Sequence, residues 1–153
     1  MRSAMIWTNP YEPNGKVLIE GVVIDLISDY QQQGTSTPEA GGIFLGYRRG
    51  IHLHVVQATT PQPKDRRTRY RFDRHDQHHQ AIATKEWMGS DGTIDYVGEW
   101  HTHPQMNPMP SAWDISEWGK IHRNREFPMI FLIVGLAETI WVGVGGNNQI
   151  LRL

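Results

Sequence analysis

Val22, Val23, Leu26, Ile27 and Tyr30 recur at the spacing of one helical face, which predicts a helix ending near Gly34. A short strand at residues 16–19 precedes it. β-Branched and aromatic residues fill 42–48 and 51–59 on either side of Gly50, predicting a hairpin. In residues 67–73 the alternation sets Thr68, Tyr70 and Phe72 against Arg67, Arg69 and Arg71, the period-two pattern of a half-exposed strand. Helical spacing returns over 74–88 through His78, Ile82 and Trp87 and closes at Gly89. Residues 93–102 read as strand and 111–123 as helix. The unbroken apolar run 129–134 predicts a strand buried on both faces; 139–144 predicts another, followed by a short tail at 149–153. Residues 1–15, punctuated by Pro10, Pro13 and Gly15, read as an irregular N-terminal arm in which Ile6 and Trp7 dock. Strands and helices alternate with no internal repeat.

A chain of 153 residues with 39% apolar and 20% charged positions is long enough to bury the core of one compact domain. Its net charge of -1 provides no bulk attraction for nucleic acid or an anionic membrane, so neither is an expected partner. The absence of cysteine removes disulfides and thiolate ligands, leaving His and carboxylates for any metal. No secretory-type apolar start or membrane-length apolar run is present, and cytoplasmic residence is expected.

Candidate chemistry concentrates in GEWHTHPQMNPMPSAWD, residues 98–114. His101 and His103, two apart on a predicted strand, point to the same side and can converge on one ion. Pro104 stops the strand, and Pro108 and Pro110 stiffen the connection to the next helix. Asp114 falls on that helix's first turn, where its carboxylate can reach back toward the imidazoles. Three protein ligands and an open position describe a catalytic zinc site. Ser111 and Asp114 alone also read as a capping pair, since Ser-x-x-Asp is a helix N-terminus signature. Glu39, ahead of a glycine-rich strand, is by itself an ordinary loop carboxylate.

Together these residues resemble the JAMM motif of the JAB/MPN metalloproteases: His-x-His-Pro, seven residues between the second His and Ser, and two between Ser and Asp. EAGGIFLG, from Glu39, is similar to that family's upstream Glu-x-Gly-Gly-x-x-x-Gly form. The resemblance implies an α/β fold, a single MPN (JAB) domain over residues 16–153. Its arrangement would be cytidine deaminase-like and three-layered, with a mixed curved β-sheet flanked by helices. It further implies a zinc-dependent isopeptidase holding one Zn2+ on His101, His103 and Asp114. Glu39 would activate the water and return its proton to the leaving amine. Ser111 would donate to the developing oxyanion. Glu99, on the strand face of the two histidines, is a further candidate for the metal's surroundings or for substrate contact, with Trp100 and Pro104 beside it. Non-catalytic MPN scaffolds typically lose motif residues, and every one is present here.

EAGGIFLG, TTPQPKDRR, GEWHTHP and the early Trp7 further resemble the JAB-domain deconjugases of bacterial CBASS antiphage operons. By that resemblance the partner is a protein with an extended C-terminal tail, either a cyclic-oligonucleotide synthase joined through its C-terminus to an amine or a ubiquitin-like protein. A processing peptidase for an operon-encoded modifier or a sulfur-carrier protein shares the same chemistry. The tail is expected in a narrow cleft lined by residues flanking Glu39 and Pro104. Outside the motif, His52 and His54 repeat the His-x-His spacing without a following carboxylate and read as a solvated strand face. His75, His78 and His79 read as surface histidines. The Arg67/Arg69/Arg71 face reads as a solvated edge strand, with an acidic tail or nucleic acid as the other reading. Trp100, Trp113 and Trp118 are expected to pack around the motif and fence the cleft.

Overall fold

The computed structural model describes residues 2–153. In chain order the elements are β1 (Met5–Asn9), β2 (Glu12–Ile19), α1 (Gly21–Ser28), β3 (Gly41–Arg49), β4 (His52–Ala58), β5 (Arg66–Thr68) and β6 (Arg71–Asp73). They continue with α2 (His78–Gly89), β7 (Ile94–Thr102), α3 (Ala112–His122), β8 (Met129–Val134), β9 (Ile140–Gly146) and β10 (Gln149–Arg152). Eight strands form one sheet in the order β1-β2-β4-β3-β7-β8-β9-β10, while β5 and β6 make a separate hairpin. The large sheet is mixed: β2 with β4 and β7 with β8 pair in parallel, and its other neighbours pair antiparallel.

β8 explains the layering. Ile130, Leu132 and Val134 share a core with Val23, Ile24 and Ile27 of α1. Met129, Phe131 and Ile133 pack with Trp118 of α3 and Trp141 of β9. Successive strand residues face opposite sides, so a strand apolar at every position requires cover on both. α2 supplies the rest of the second layer, placing Ala83 against Ile43 and Leu45 of β3. The expected α/β arrangement, a mixed sheet between helices, is therefore the one observed. Each fully buried side chain of Phe131's size adds about 1.5–3 kcal/mol of burial. Among the described residues no helix is long and apolar enough to cross a membrane.

Several local expectations are corrected. The arm read as irregular is a hairpin, with Trp7 opposite Val17, and β2 carries it into the sheet. Trp7 packs against the core, whereas Ile6 is 59% exposed. The short tail is β10, paired with β9. Residues 67–73 are not one strand: the chain turns at Arg69–Tyr70, pairing Thr68 with Arg71. Alternation alone carries no mark of such a reversal. α1 buries Val23, Ile24 and Ile27 and exposes Val22 and Leu26, and it stops at Ser28. Beyond it Gln32 is drawn into the interior, where its amide donates to the carbonyls of Thr37 and Arg69. α2 begins at His78, the amides of His75 and Asp76 donating to Asp65 instead, and its buried positions are His79 and Ala83. Of the expected stripe, His78 and Trp87 face solvent, whereas Ile82 packs against Ile43, Leu45 and Ala83.

Candidate metal centre

β7 lies between β3 and β8, and its last turn of pleat brings His101 to the face covered by α2 and α3. His103 follows one residue beyond the strand, tethered by its amide to the Val134 carbonyl. The chain then crosses the proline-stiffened loop and enters α3 through Ser111. Both halves of a capping box are present: the Asp114 amide donates to Ser111 Oγ (3.0 Å) and the Ser111 amide donates to Asp114 Oδ2 (2.8 Å). The cap reading of Ser-x-x-Asp is therefore observed, and it leaves Asp114 beside the two imidazoles. Capping fixes the Asp114 rotamer, and the same Oδ2 lies 3.3 Å from His101 Nε2 and 3.1 Å from His103 Nε2.

The two Nε2 atoms are 3.1 Å apart, closing a triangle of donor atoms with sides of 3.1, 3.1 and 3.3 Å. Ligand atoms about 2.0–2.1 Å from one ion at tetrahedral angles lie about 3.3 Å from each other. The donor set therefore fits a single divalent metal with a fourth position left over, and these are the three residues that group as metal-binding among the described residues. His103 Nδ1 faces Gln105 Oε1 at 3.3 Å, which directs its Nε2 to the triangle. Trp118 supports the His101 ring at 5.5 Å between centroids and itself stacks on Phe131.

Glu39 is buried, with Oε1 3.6 Å from His103 Nε2. It sits immediately before β3, in a position that depends on two glycines. A Cβ at Gly41 would meet Phe72 Cδ1 at 2.5 Å and the Trp100 carbonyl at 2.7 Å, and one at Gly42 would collide with the Thr59 carbonyl. The β5–β6 hairpin holds Glu39 from the other side: its amide donates to the Thr68 carbonyl (2.7 Å), and Arg67 Nε donates to its carbonyl (2.8 Å). Burial pushes the Glu39 carboxyl up to about 8, against the pull of His103 and of the Phe72 backbone. Asp114 goes the other way: burial opposes its ionisation, but hydrogen bonds from His101 and His103 hold it well below the usual carboxylate range. Burial would lower His103, yet Asp114 and Glu39 raise it above the ordinary imidazole value. A cation at the triangle would favour the ionised form of the nearby Glu39 carboxylate.

The remaining candidates separate by geometry. Glu99 does not join the triangle; Arg74 Nε (3.1 Å) and the Tyr96 hydroxyl (2.6 Å) both donate to its Oε1. Trp100 points into the α1 core and donates to the Thr59 carbonyl. Pro104 ends the strand as expected. A cleft of about 190 Å³ abuts His101 and Asp114, and Trp113, Trp118 and Phe72 form its walls. These come from α3 and β6 rather than from the neighbours of Glu39 and Pro104. His54 pairs with Glu20 (2.6 Å), and His52 Nδ1 accepts from the Lys16 amide, so neither gathers ligands.

His75 meets Asp73 at 3.2 Å, but His79 is no surface histidine: it is wholly buried against Asp65 and Thr59. The arginine face is likewise not a plain solvated edge. Arg67 holds the Glu39 carbonyl and Arg71 lies 4.4 Å over the Trp113 ring. The burial of Asp65, His79 and Thr59 together carries no local sequence signal, because the three come from separate segments.

The sequence profile Prok-JAB, prokaryotic homologs of the JAB domain, matches residues 23–143. A Pseudomonas aeruginosa protein named CD-NTase/cGAS isopeptidase is 42% identical over 128 residues, covering 82% of this chain and 81% of its own length. Proteins of the same name from Vibrio cholerae and Escherichia coli are 41% and 39% identical, covering 83% and 90% of this chain and 80% and 86% of theirs. A solution structure from Desulfitobacterium hafniense matches with a TM-score of 0.63 at 19% identity, covering 88% of both chains, and supports the fold alone. With its motif residues gathered at one centre and this breadth of similarity, the chain belongs to the family of prokaryotic JAB-domain homologs.

Proposed function

We propose that this protein is a zinc-dependent isopeptidase that releases a cyclic-oligonucleotide synthase joined through its C-terminal tail to an amine. The observation that carries the proposal is the triangle of His101, His103 and Asp114 donor atoms with the Glu39 carboxylate beside it. The relatives named CD-NTase/cGAS isopeptidase support the bond type and the substrate class. His101, His103 and Asp114 would hold the ion through Nε2, Nε2 and Oδ2. Zinc bound there would supply Lewis-acid polarisation of the scissile carbonyl and a lowered pKa for water.

Glu39 takes a proton from the attacking water as its oxygen adds to the carbonyl carbon, then delivers that proton to the departing amine as the C–N bond breaks. Its buried setting disfavours charge, so accepting a proton there costs little. Ser111 Oγ accepts from the Asp114 amide, which leaves its own O–H free to donate to the carbonyl oxygen as charge develops.

The test pairs metal analysis with cleavage of a synthetic conjugate of a synthase C-terminal tail to an amine. One zinc per chain and release of the tail are expected. Glu39→Ala should retain the zinc and lose turnover by about 10²–10⁴-fold. Full activity in Glu39→Ala would refute the base, and cleavage of a ubiquitin-like conjugate in preference to the synthase tail would reassign the substrate.

A further inference from the structure

Two fully buried ionisable side chains lie away from the metal centre. Asp65 and His79 both have no solvent exposure, and His79 Nε2 meets Asp65 Oδ2 at 2.7 Å. On its other side His79 Nδ1 meets Thr59 Oγ1 at 2.6 Å, and Thr59 Oγ1 accepts from the Ile43 amide at 2.9 Å. The directions follow from the donors: the hydroxyl accepts from Ile43, so its own proton goes to Nδ1, and Nε2–H donates to Asp65. Asp65 also accepts from the amides of Gln62 (2.8 Å), His75 (2.8 Å) and Asp76 (2.9 Å).

The ends of this chain of bonds are its informative part. Asp65 directly precedes β5, while His75 and Asp76 follow β6, so one carboxylate closes the base of the β5–β6 hairpin. At the other end, Ile43 lies in β3 four residues beyond Glu39. Between these anchors the hairpin grips Glu39 through Thr68, Arg67 and Phe72. A buried pair of polar side chains is a weak source of stability compared with apolar side chains of equal volume. What it supplies that apolar packing does not is direction.

We propose that the Thr59–His79–Asp65 relay is a positioning element for Glu39, setting the β5–β6 hairpin that fixes the orientation of that carboxylate. Its kinetic consequence rests on the isopeptidase reading; its structural consequence does not. A carboxylate that must meet both an attacking water and a leaving amine tolerates little displacement, because small misplacements near reacting atoms cost large factors in rate.

Three variants test the proposal: Asp65→Asn, Thr59→Val, which removes one hydroxyl from a side chain of nearly the same shape, and Thr59→Ser, which restores it. Hydrogen exchange on metal-free protein should show the Glu39 amide and the hairpin amides exchanging about tenfold faster in Asp65→Asn and Thr59→Val, the scale of one lost hydrogen bond, with Thr59→Ser near wild type. In zinc-loaded protein, kcat per bound zinc should fall about 10- to 100-fold in the first two variants and recover in Thr59→Ser. KM should stay within about twofold.

Wild-type exchange at Glu39 and the hairpin in Thr59→Val would overturn the proposal. So would acceleration spread evenly over all amides, which marks a role in global stability alone. Should Asp65→Asn not fold, the Thr59 pair decides. A wild-type protein with no isopeptidase activity would sink the functional reading, and the exchange experiment would still judge the relay.

Discussion

Ser111 shows how one side chain can tie folding to chemistry. Its Oγ caps α3, its amide orients Asp114, and its O–H is not used by the cap. Ser111→Ala should therefore have two separable effects. Loss of the cap should cost about 1 kcal/mol in denaturant unfolding. Loss of the proposed oxyanion donor should lower kcat by about 10²–10³-fold in steady-state assays, more than the cap alone explains. Asp114 keeps its amide contact from residue 111, so zinc uptake should change little. Glu39 gives the complementary case: Gly41 and Gly42 have no chemistry of their own, yet a side chain at either would meet Phe72 or Thr59 and push the strand away.

Among the elements, α3 and the β5–β6 hairpin bring the most to the centre. Trp118 of α3 stacks on Phe131 at 4.7 Å and Trp141 at 5.7 Å while supporting His101. Trp118→Ala should destabilise by about 3–5 kcal/mol in urea titrations and weaken zinc binding, because the His101 ring loses its backing. The hairpin gives a pH signature through Asp65. Burial opposes ionisation of that carboxyl, but bonds from Asp76, His79, Gln62 and His75 outweigh it and hold its folded pKa below the ordinary value. A depressed folded pKa means stability that is present above the unfolded value of about 3.9 and lost as pH falls through the folded one. Asp65→Asn should accordingly be less stable at neutral pH, and its deficit relative to wild type should shrink on acidification below about pH 4 in melts taken across the range.

For the whole molecule, the sheet places residues 39, 101, 103 and 114 at one end although they are spread over about half of the chain. Parallel pairing of β7 with β8 and antiparallel pairing with β3 set Gly41 opposite His101, which puts Glu39 within reach of the histidines. A metal that binds only this assembled triangle must stabilise the fold. Free zinc at about 100 times its Kd should add about 2.7 kcal/mol, visible as a raised Tm, and a chelator should remove it. The His101→Ala/His103→Ala double variant should show no such shift.

Much of this was legible from local pattern. The His-x-His-Pro spacing, the Ser-x-x-Asp cap and the apolar run of β8 each express a constraint carried by neighbouring residues: side-chain alternation, cap geometry, burial on both faces. The sequence alone therefore determined the candidate ligand set, the helix that presents Asp114 and the α/β class. Tertiary structure decided the rest, because it depends on partners far apart in the chain. Whether Glu99 faces the ion or Arg74, whether His79 is buried, and whether the arginine strand turns back to grip Glu39 are set by competing contacts. A polar side chain enters the interior only where another segment completes its hydrogen bonds, and no local periodicity records which segment that is.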